Sequence, residues 1–168
     1  MNTSPESAPR QEEQSAFTIR HFRRAEAPED FSQAMGLRTE IFVDEQGVPP
    51  ECEQDEYEDD CLHWLMLDSS TGVPVATGRM RAYQEGCQIR PVAKLERIAV
   101  NKNLRGRKLG ERLMRDMLAH IRTDGYEQAI LDAQVPVLGF YEQFGFVAEG
   151  DEFMDAGIPH YRMRLVLE

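Results

Sequence analysis

The 168-residue chain has no apolar run that approaches the ~18 residues a membrane-spanning helix needs, so no membrane partner is expected. Basic charge is also in short supply, with 19 Lys and Arg against 30 Asp and Glu and a formal net charge of −11. Nucleic-acid binding requires clustered cations to neutralise phosphates, and this balance argues against it. Cysteine is sparse as well. Cys52, Cys61 and Cys87 have neither a metal-ligand spacing nor an even disulfide framework, which points to reduced thiols in a cytoplasm and to no metal site. Residues 1–16 are polar and lack the apolar core of a secretory signal. They read as a disordered tail ahead of one domain at 17–168, a length that can bury a core unaided.

What is present alternates between strand and helix patterns. Residues 17–22 (FTIRHF) alternate apolar and polar side chains, which suits an opening strand. The apolar positions Phe31, Met35, Leu37, Ile41 and Phe42 predict a helix over 29–43, stopped by Gly47 and the Pro49-Pro50 pair. Residues 51–60 (ECEQDEYEDD) hold seven acidic residues and no basic one. They read either as a solvated, mobile loop or as an acidic rim that steers a cationic amine. Strands are expected at 61–67, 73–83 and 94–100, the last placing Leu95, Arg97 and Ala99 on one side and Glu96, Ile98 and Val100 on the other. Leu109, Leu113, Met117 and Ile121, spaced four apart, make 109–122 a helix, with Gly125 after its end. A strand at 129–133, a short helix opened by Pro136 and closed by Gly145, and a final pair at 146–149 and 160–167 complete the pattern.

The chemistry gathers after the 94–100 strand. Asn103-Leu104-Arg105-Gly106-Arg107-Lys108-Leu109-Gly110 leads straight into the long helix. Gly106 and Gly110 let the backbone turn and approach an anion, and the helix start offers free amides and a positive dipole end. Arg105, Arg107 and Lys108 add positive charge that suits a pyrophosphate or a nucleotide 3′-phosphate. A basic helix cap with no ligand is the competing reading. The spacing fits neither a P-loop nor a dinucleotide-binding GxGxxG site.

The second unit is Phe140-Tyr141-x-x-x-Gly145-Phe146 directly after a strand. Together these units resemble the GNAT acetyltransferase superfamily over residues 17–167. The segments KLERIAV (94–100), LDAQ (131–134), DAGIPH (155–160) and LRTEIFVDEQGV (37–48) are similar to its ElaA/YjcF-like branch. The last segment has a weaker likeness to acyl-homoserine lactone synthases. The resemblance implies a mixed α/β (α+β) domain with a central, mostly antiparallel sheet, splayed near 98–100, and helices on both faces. It implies an N-acetyltransferase that moves acetyl from acetyl-CoA to a primary amine of a small molecule or peptide by direct attack. A longer acyl-CoA or acyl carrier protein donor, or a CoA-binding module without turnover, are the alternatives.

By the same resemblance, Ile98, Ala99 and Val100 would offer backbone groups to pantetheine, and residues 105–110 would take the pyrophosphate. Gln134 stands where many relatives carry a pantetheine-contacting Asn. Tyr141 would act as general acid toward the departing thiolate, the competing reading being a core aromatic. Glu96 is the expected general base, its pKa raised by burial, or else a structural partner of Arg97 or Arg79. Arg38, Glu45 and His160 are expected on the acceptor side; His160 fits a proton relay or a turn-stabilising role. His63 fits a satisfied core position. Asn103 and Lys108 depart from the superfamily's Q/R-x-x-G-x-G/A loop. A homodimer is compatible with the sequence.

Overall fold

The computed structural model describes residues 16–168; of the expected tail at 1–16, residues 1–15 lie outside the described residues. One seven-stranded sheet runs in the order β1-β2-β3-β4-β5-β7-β6. Its strands are β1 (Phe17–Phe22), β2 (Leu62–Asp68), β3 (Pro74–Tyr83), β4 (Val92–Val100), β5 (Gln128–Gln134), β6 (Val147–Asp155) and β7 (Ile158–Val166). Every neighbouring pair is antiparallel except β4 and β5. Four α-helices accompany it among the described residues: α1 (Pro28–Arg38), α2 (Pro50–Glu53), α3 (Leu109–Thr123) and α4 (Leu138–Glu142). No helix among the described residues is long and apolar enough to cross a membrane.

The two faces of the sheet are filled from opposite sides because strand side chains alternate. On β2, Trp64 and Met66 meet Leu113, Met114, Met117, Leu118 and Ile121 of α3. Leu65 and Leu67 point the other way, onto Phe31 and Ala34 of α1. The strong four-residue periodicity of α3 therefore survives as a buried stripe. α1 ends earlier than the apolar pattern predicts: Thr39–Glu45 widens into a π-helix, with the Gln46 amide donating to the Ile41 carbonyl at 3.1 Å. Such wide turns shift which side chains face a neighbour, and here the winding carries Glu45 and Gln46 toward the sheet. The final hairpin is also longer than expected. β6 is an exposed edge carrying Glu149, Asp151, Glu152 and Asp155, so its outer half has no apolar alternation to read.

The side-chain alternation expected for β4 fails at one residue. Arg79 pairs with Glu96 and Thr77 with Ala99, so Arg97 and Ile98 stand opposite the single residue Gly78. Arg97 is the extra residue of a β-bulge, with a left-handed φ of 56°. The bulge reverses the phase. Leu95, Ile98 and Val100 now share the α3 face, while Ala99 packs on Leu37 and Ile41 and Glu96 meets Arg79 across the strands.

The acidic segment is solvated only in part: Glu51, Glu56, Asp59 and Asp60 are exposed, whereas Glu53, Asp55 and Glu58 turn inward. Glu53 and Glu58 are 3% and 2% exposed, and Arg38 between them is 1% exposed. Arg38 Nε donates to Glu53 at 2.5 Å, and its two terminal nitrogens hold Glu58 at 3.0 and 2.7 Å. Arg79 holds Asp55 at 2.9 and 2.6 Å and Glu58 at 2.8 Å, and reaches Glu96 at 2.9 Å. Buried carboxylates need such partners. Three of the seven acids are thus spent on arginines of α1, β3 and β4, which draws the segment onto the sheet. His63 Nε2 donates to the Glu58 carbonyl at 2.9 Å, and its ring packs on Phe22 and Phe31, the core position expected.

Breaking this cluster from one side should be severe. Arg38→Met leaves Glu53 and Glu58 buried without their main cation, a loss of about 3–5 kcal/mol for a buried pair, to be read by urea denaturation. Burial pushes the Asp55, Glu58 and Glu96 carboxyls up, but the surrounding guanidinium and ammonium groups outweigh it and hold them below their ordinary values. Groups lowered in the folded state stabilise it fully above the ordinary carboxyl range of about pH 4, and that contribution fades as pH falls through the lowered values. Acid titration of the native fold should therefore show a cooperative loss below that range, and Arg38→Met should move it to higher pH.

Candidate functional site

β4 and β5 pair only through Ala93, Lys94 and Leu95 with Ala129, Ile130 and Leu131. Beyond that point the strands part, and a cavity of about 690 Å³ opens between them. Ile98, Ala99 and Val100 line it, with β3 bonded on one edge and the other edge free of strand partners among the described residues.

At one end the cavity is bounded by Arg105, Gly106, Lys108, Leu109 and Gly110. Gly106 has a φ of 83° and Lys108 caps α3 in the left-handed region at 60°. The first helical bond in this turn runs from the Arg112 amide to the Lys108 carbonyl at 3.0 Å. The amides of Leu109, Gly110 and Glu111 precede it and have no intrahelical acceptor. A Cβ on Gly110 would lie 3.3 Å from both Phe140 Cζ and Val100 Cγ2, so glycine here lets the helix start press against β4 and α4. Free amides, the helix dipole and nearby cations together form an anion-binding geometry. Arg107 departs from this group. Its guanidinium lies over the Phe17 ring at 5.3 Å, and it does not line the cavity.

Two contacts tie the π-helix to the cavity walls. Glu45 takes both terminal nitrogens of Arg105 at 2.5 and 2.8 Å, while Arg105 Nε donates to the Val100 carbonyl at 3.1 Å. The Gln134 amide donates to Gln46 Oε1 at 2.9 Å. Glu45 itself does not line the cavity, and Arg38 is wholly occupied in the buried ion cluster beneath it. Neither is placed to touch a molecule in the cavity.

Tyr141 lines the cavity and is 9% exposed. Burial pushes its phenol well above the usual value, which keeps the hydroxyl protonated and able to donate. Phe42, Cys52, Lys94, Glu96, Arg97, Asp132, Asp155 and His160 also line it. Glu96 differs from its expected state. Its Oε2 accepts from Arg79 and from Arg81 at 3.3 Å, and Oε1 lies 3.3 Å from Lys94; the lowered carboxyl is ionised and a weak proton acceptor. His160 Nδ1 lies 2.7 Å from the Ile158 carbonyl. A carbonyl only accepts, so Nδ1 carries a proton, and in the neutral ring the lone pair lies on Nε2. Gln46, Lys94, Arg97 and Asp132 were not singled out from the sequence as site residues; only the splay and the bulge bring them together.

The chain matches the family model "Acetyltransferase (GNAT) domain" over residues 23–167. It is 37% identical over 140 residues to the uncharacterized N-acetyltransferase YjcF of Bacillus subtilis, covering 83% of this chain and 94% of that one. The crystal structure of Escherichia coli ElaA superposes with a TM-score of 0.77 at 24% identity, covering 88% of this chain and 98% of that one. BjaI, a CoA-dependent acyl-homoserine lactone synthase solved with SAM and isopentyl-CoA, has the same fold: TM-score 0.76, 19% identity, 90% of this chain and 84% of that one. A splayed β4/β5 pair, an anion-binding helix start and these matches lead to one assignment: the chain belongs to the GNAT acetyltransferase family, in its ElaA/YjcF-like branch.

Proposed function

We propose that the protein is an acetyl-CoA-dependent N-acetyltransferase that acylates a primary amine by direct attack. The observation that carries this reading is the one cavity lined together by the start of α3, the open edge of residues 98–100, Tyr141 and His160. The amides of Leu109, Gly110 and Glu111, with Lys108 and Arg105 beside them, are suited to the CoA diphosphate. The open edge of Ile98, Ala99 and Val100 suits the pantetheine arm, with Gln134 on the opposite wall. A backbone amide of that edge polarises the thioester carbonyl.

The amine nitrogen attacks that carbonyl, the C–N bond forms and the C–S bond breaks. His160 Nε2 accepts the proton the amine loses, a role open to it in the neutral ring and denied to Glu96 by Arg79, Arg81 and Lys94. Tyr141 gives its hydroxyl proton to the departing thiolate and recovers it from solvent. Glu96 instead holds Arg79, Arg81 and Lys94 in place. Cys61 is buried, its thiol pushed up to about 12, and no acyl-enzyme step is invoked.

Tyr141→Phe should lower kcat for CoA release by roughly 10²-fold or more, the usual worth of a positioned acid, while calorimetric CoA affinity stays at the native value. Because the phenol is raised, native activity should hold into alkaline pH without a descending limb from this group. His160→Gln should lower kcat to a similar extent with CoA affinity unchanged; full activity in that variant removes His160 as the base. Glu45 occupies the guanidinium that a diphosphate would use, so Glu45→Gln should tighten CoA binding by roughly two- to fivefold, the size of a partly exposed ion pair. A donor panel of acetyl-CoA and longer acyl-CoAs, followed by free thiol, tests the acyl preference: faster release from long chains would favour the alternative donor, and binding without release a module that lacks turnover.

A further inference from the structure

Most charged side chains lining the cavity already have their counter-charge. Glu96 has Arg79, Arg81 and Lys94; Asp132 has Arg162 at 2.5 Å; Glu53 has Arg38 at 2.5 Å. Arg97 stands apart. Its Nε donates to the Glu53 carbonyl at 3.0 Å, and Nη2 reaches the Cys52 carbonyl at 3.3 Å and Asp55 at 3.4 Å. Two of these acceptors are neutral, and Asp55 is held far more closely by both terminal nitrogens of Arg79. The nearest other carboxylate, Glu53, is 3.7 Å away and committed to Arg38.

No hydrogen bond among the described residues uses Nη1 of Arg97, yet no buried side-chain nitrogen or oxygen among them lacks a partner. Nη1 is therefore solvent-accessible, on a side chain that lines the cavity. The electrostatics agree. Burial, with the charges of Arg79 and Arg38, draws the Arg97 guanidinium below the ordinary arginine value, whereas Arg79, Arg105, Arg162 and Arg164 are all pushed above it. Positive charge is in surplus at Arg97. The position is also built at a cost: a left-handed φ strains any residue with a Cβ by about 1 kcal/mol, and the bulge holds Arg97 directly beside Ile98 on the open edge.

We propose that Arg97 anchors the acceptor by binding a carboxylate through Nη1, so that the amine acylated here belongs to an amino acid or a related aminocarboxylate. This rests on the acyl-transfer reading of the same cavity and names its acceptor class. A guanidinium edge matches a carboxylate in geometry and charge. A single negative charge balances the surplus, whereas a phosphate dianion would set a second charge among Glu53, Asp55, Glu96 and Asp132. A polyamine would bring further positive charge to a guanidinium already short of anions.

The test is calorimetric titration of the CoA-saturated protein with the twenty standard amino acids, each paired with its carboxamide. At least one amino acid should bind about tenfold or more tightly than its carboxamide, the scale of a hydrogen bond to a charged group. Arg97→Gln should erase that difference with CoA affinity unchanged, and Arg97→Lys, which keeps the charge without the fork, should retain part of it. Equal binding of acid and carboxamide, a preference that survives Arg97→Gln, or no binding by any of the twenty overturns the assignment; if the Gln variant does not fold, the native acid-to-carboxamide comparison decides alone. Thiol release from acetyl-CoA separates the two readings. Release with amines irrespective of a carboxylate overturns the anchor and leaves acyl transfer standing, whereas Arg97-dependent amino-acid binding with no release by any amine supports the anchor and overturns acyl transfer.

Discussion

Two parallel strands that pair over three residues and then separate set the conditions for everything else in this fold. Past Leu95 and Leu131 the backbone of β4 loses its β5 partner, and buried backbone groups without partners are costly. The sheet tolerates the gap because β3 continues to bond the other edge of β4, and because α3 and the π-helix brace the two sides. Gly110 lets α3 begin against Val100 and Phe140, while Gln46 reaches across to Gln134 on the far strand. The open edge and the free helix amides thus face the same space. That coincidence is what gives an extended, diphosphate-bearing thioester a place to lie in the proposed reaction.

The bulge at Arg97 and the ion cluster beneath it act together. One extra residue turns Ile98 and Val100 toward the α3 side and leaves Glu96 on the side of Arg79 and Arg81. The acidic segment then closes over those arginines with Glu53, Asp55 and Glu58. Such a cluster adds little net stability compared with apolar packing, but it fixes the position of the segment against the bulge. The Cys52 and Glu53 carbonyls that hold Arg97 come from that same segment. Charge patterning far from the helix start therefore sets the far wall of the cavity.

The sequence carried the elements with strong periodicity and little more than hints of the rest. α3, with apolar residues at every fourth position, and β2, an apolar run, were legible because burial alone dictates them. The glycine-basic loop and the Phe-Tyr…Gly-Phe unit were legible because backbone freedom and residue type are local properties. The phase of β4 was not, since a strict period of two cannot register an inserted residue such as Arg97. Residues 51–60 were legible only in part for a related reason: which acids of a like-charged run turn inward, here Glu53, Asp55 and Glu58, depends on distant arginines, here Arg38 and Arg79. Glu96 stood open between a base and a partner of Arg79 or Arg97, because the register that sets Arg79 and Arg81 of β3 against it is not written in its own strand.

The most direct examination of the cofactor placement is residue-resolved amide hydrogen exchange with and without saturating CoA. If the diphosphate rests on the start of α3 and the pantetheine along the open edge, exchange slows at Leu109, Gly110 and Glu111 and within 98–100. Unchanged exchange at those amides while CoA is bound, or no binding of CoA at all, contradicts that placement.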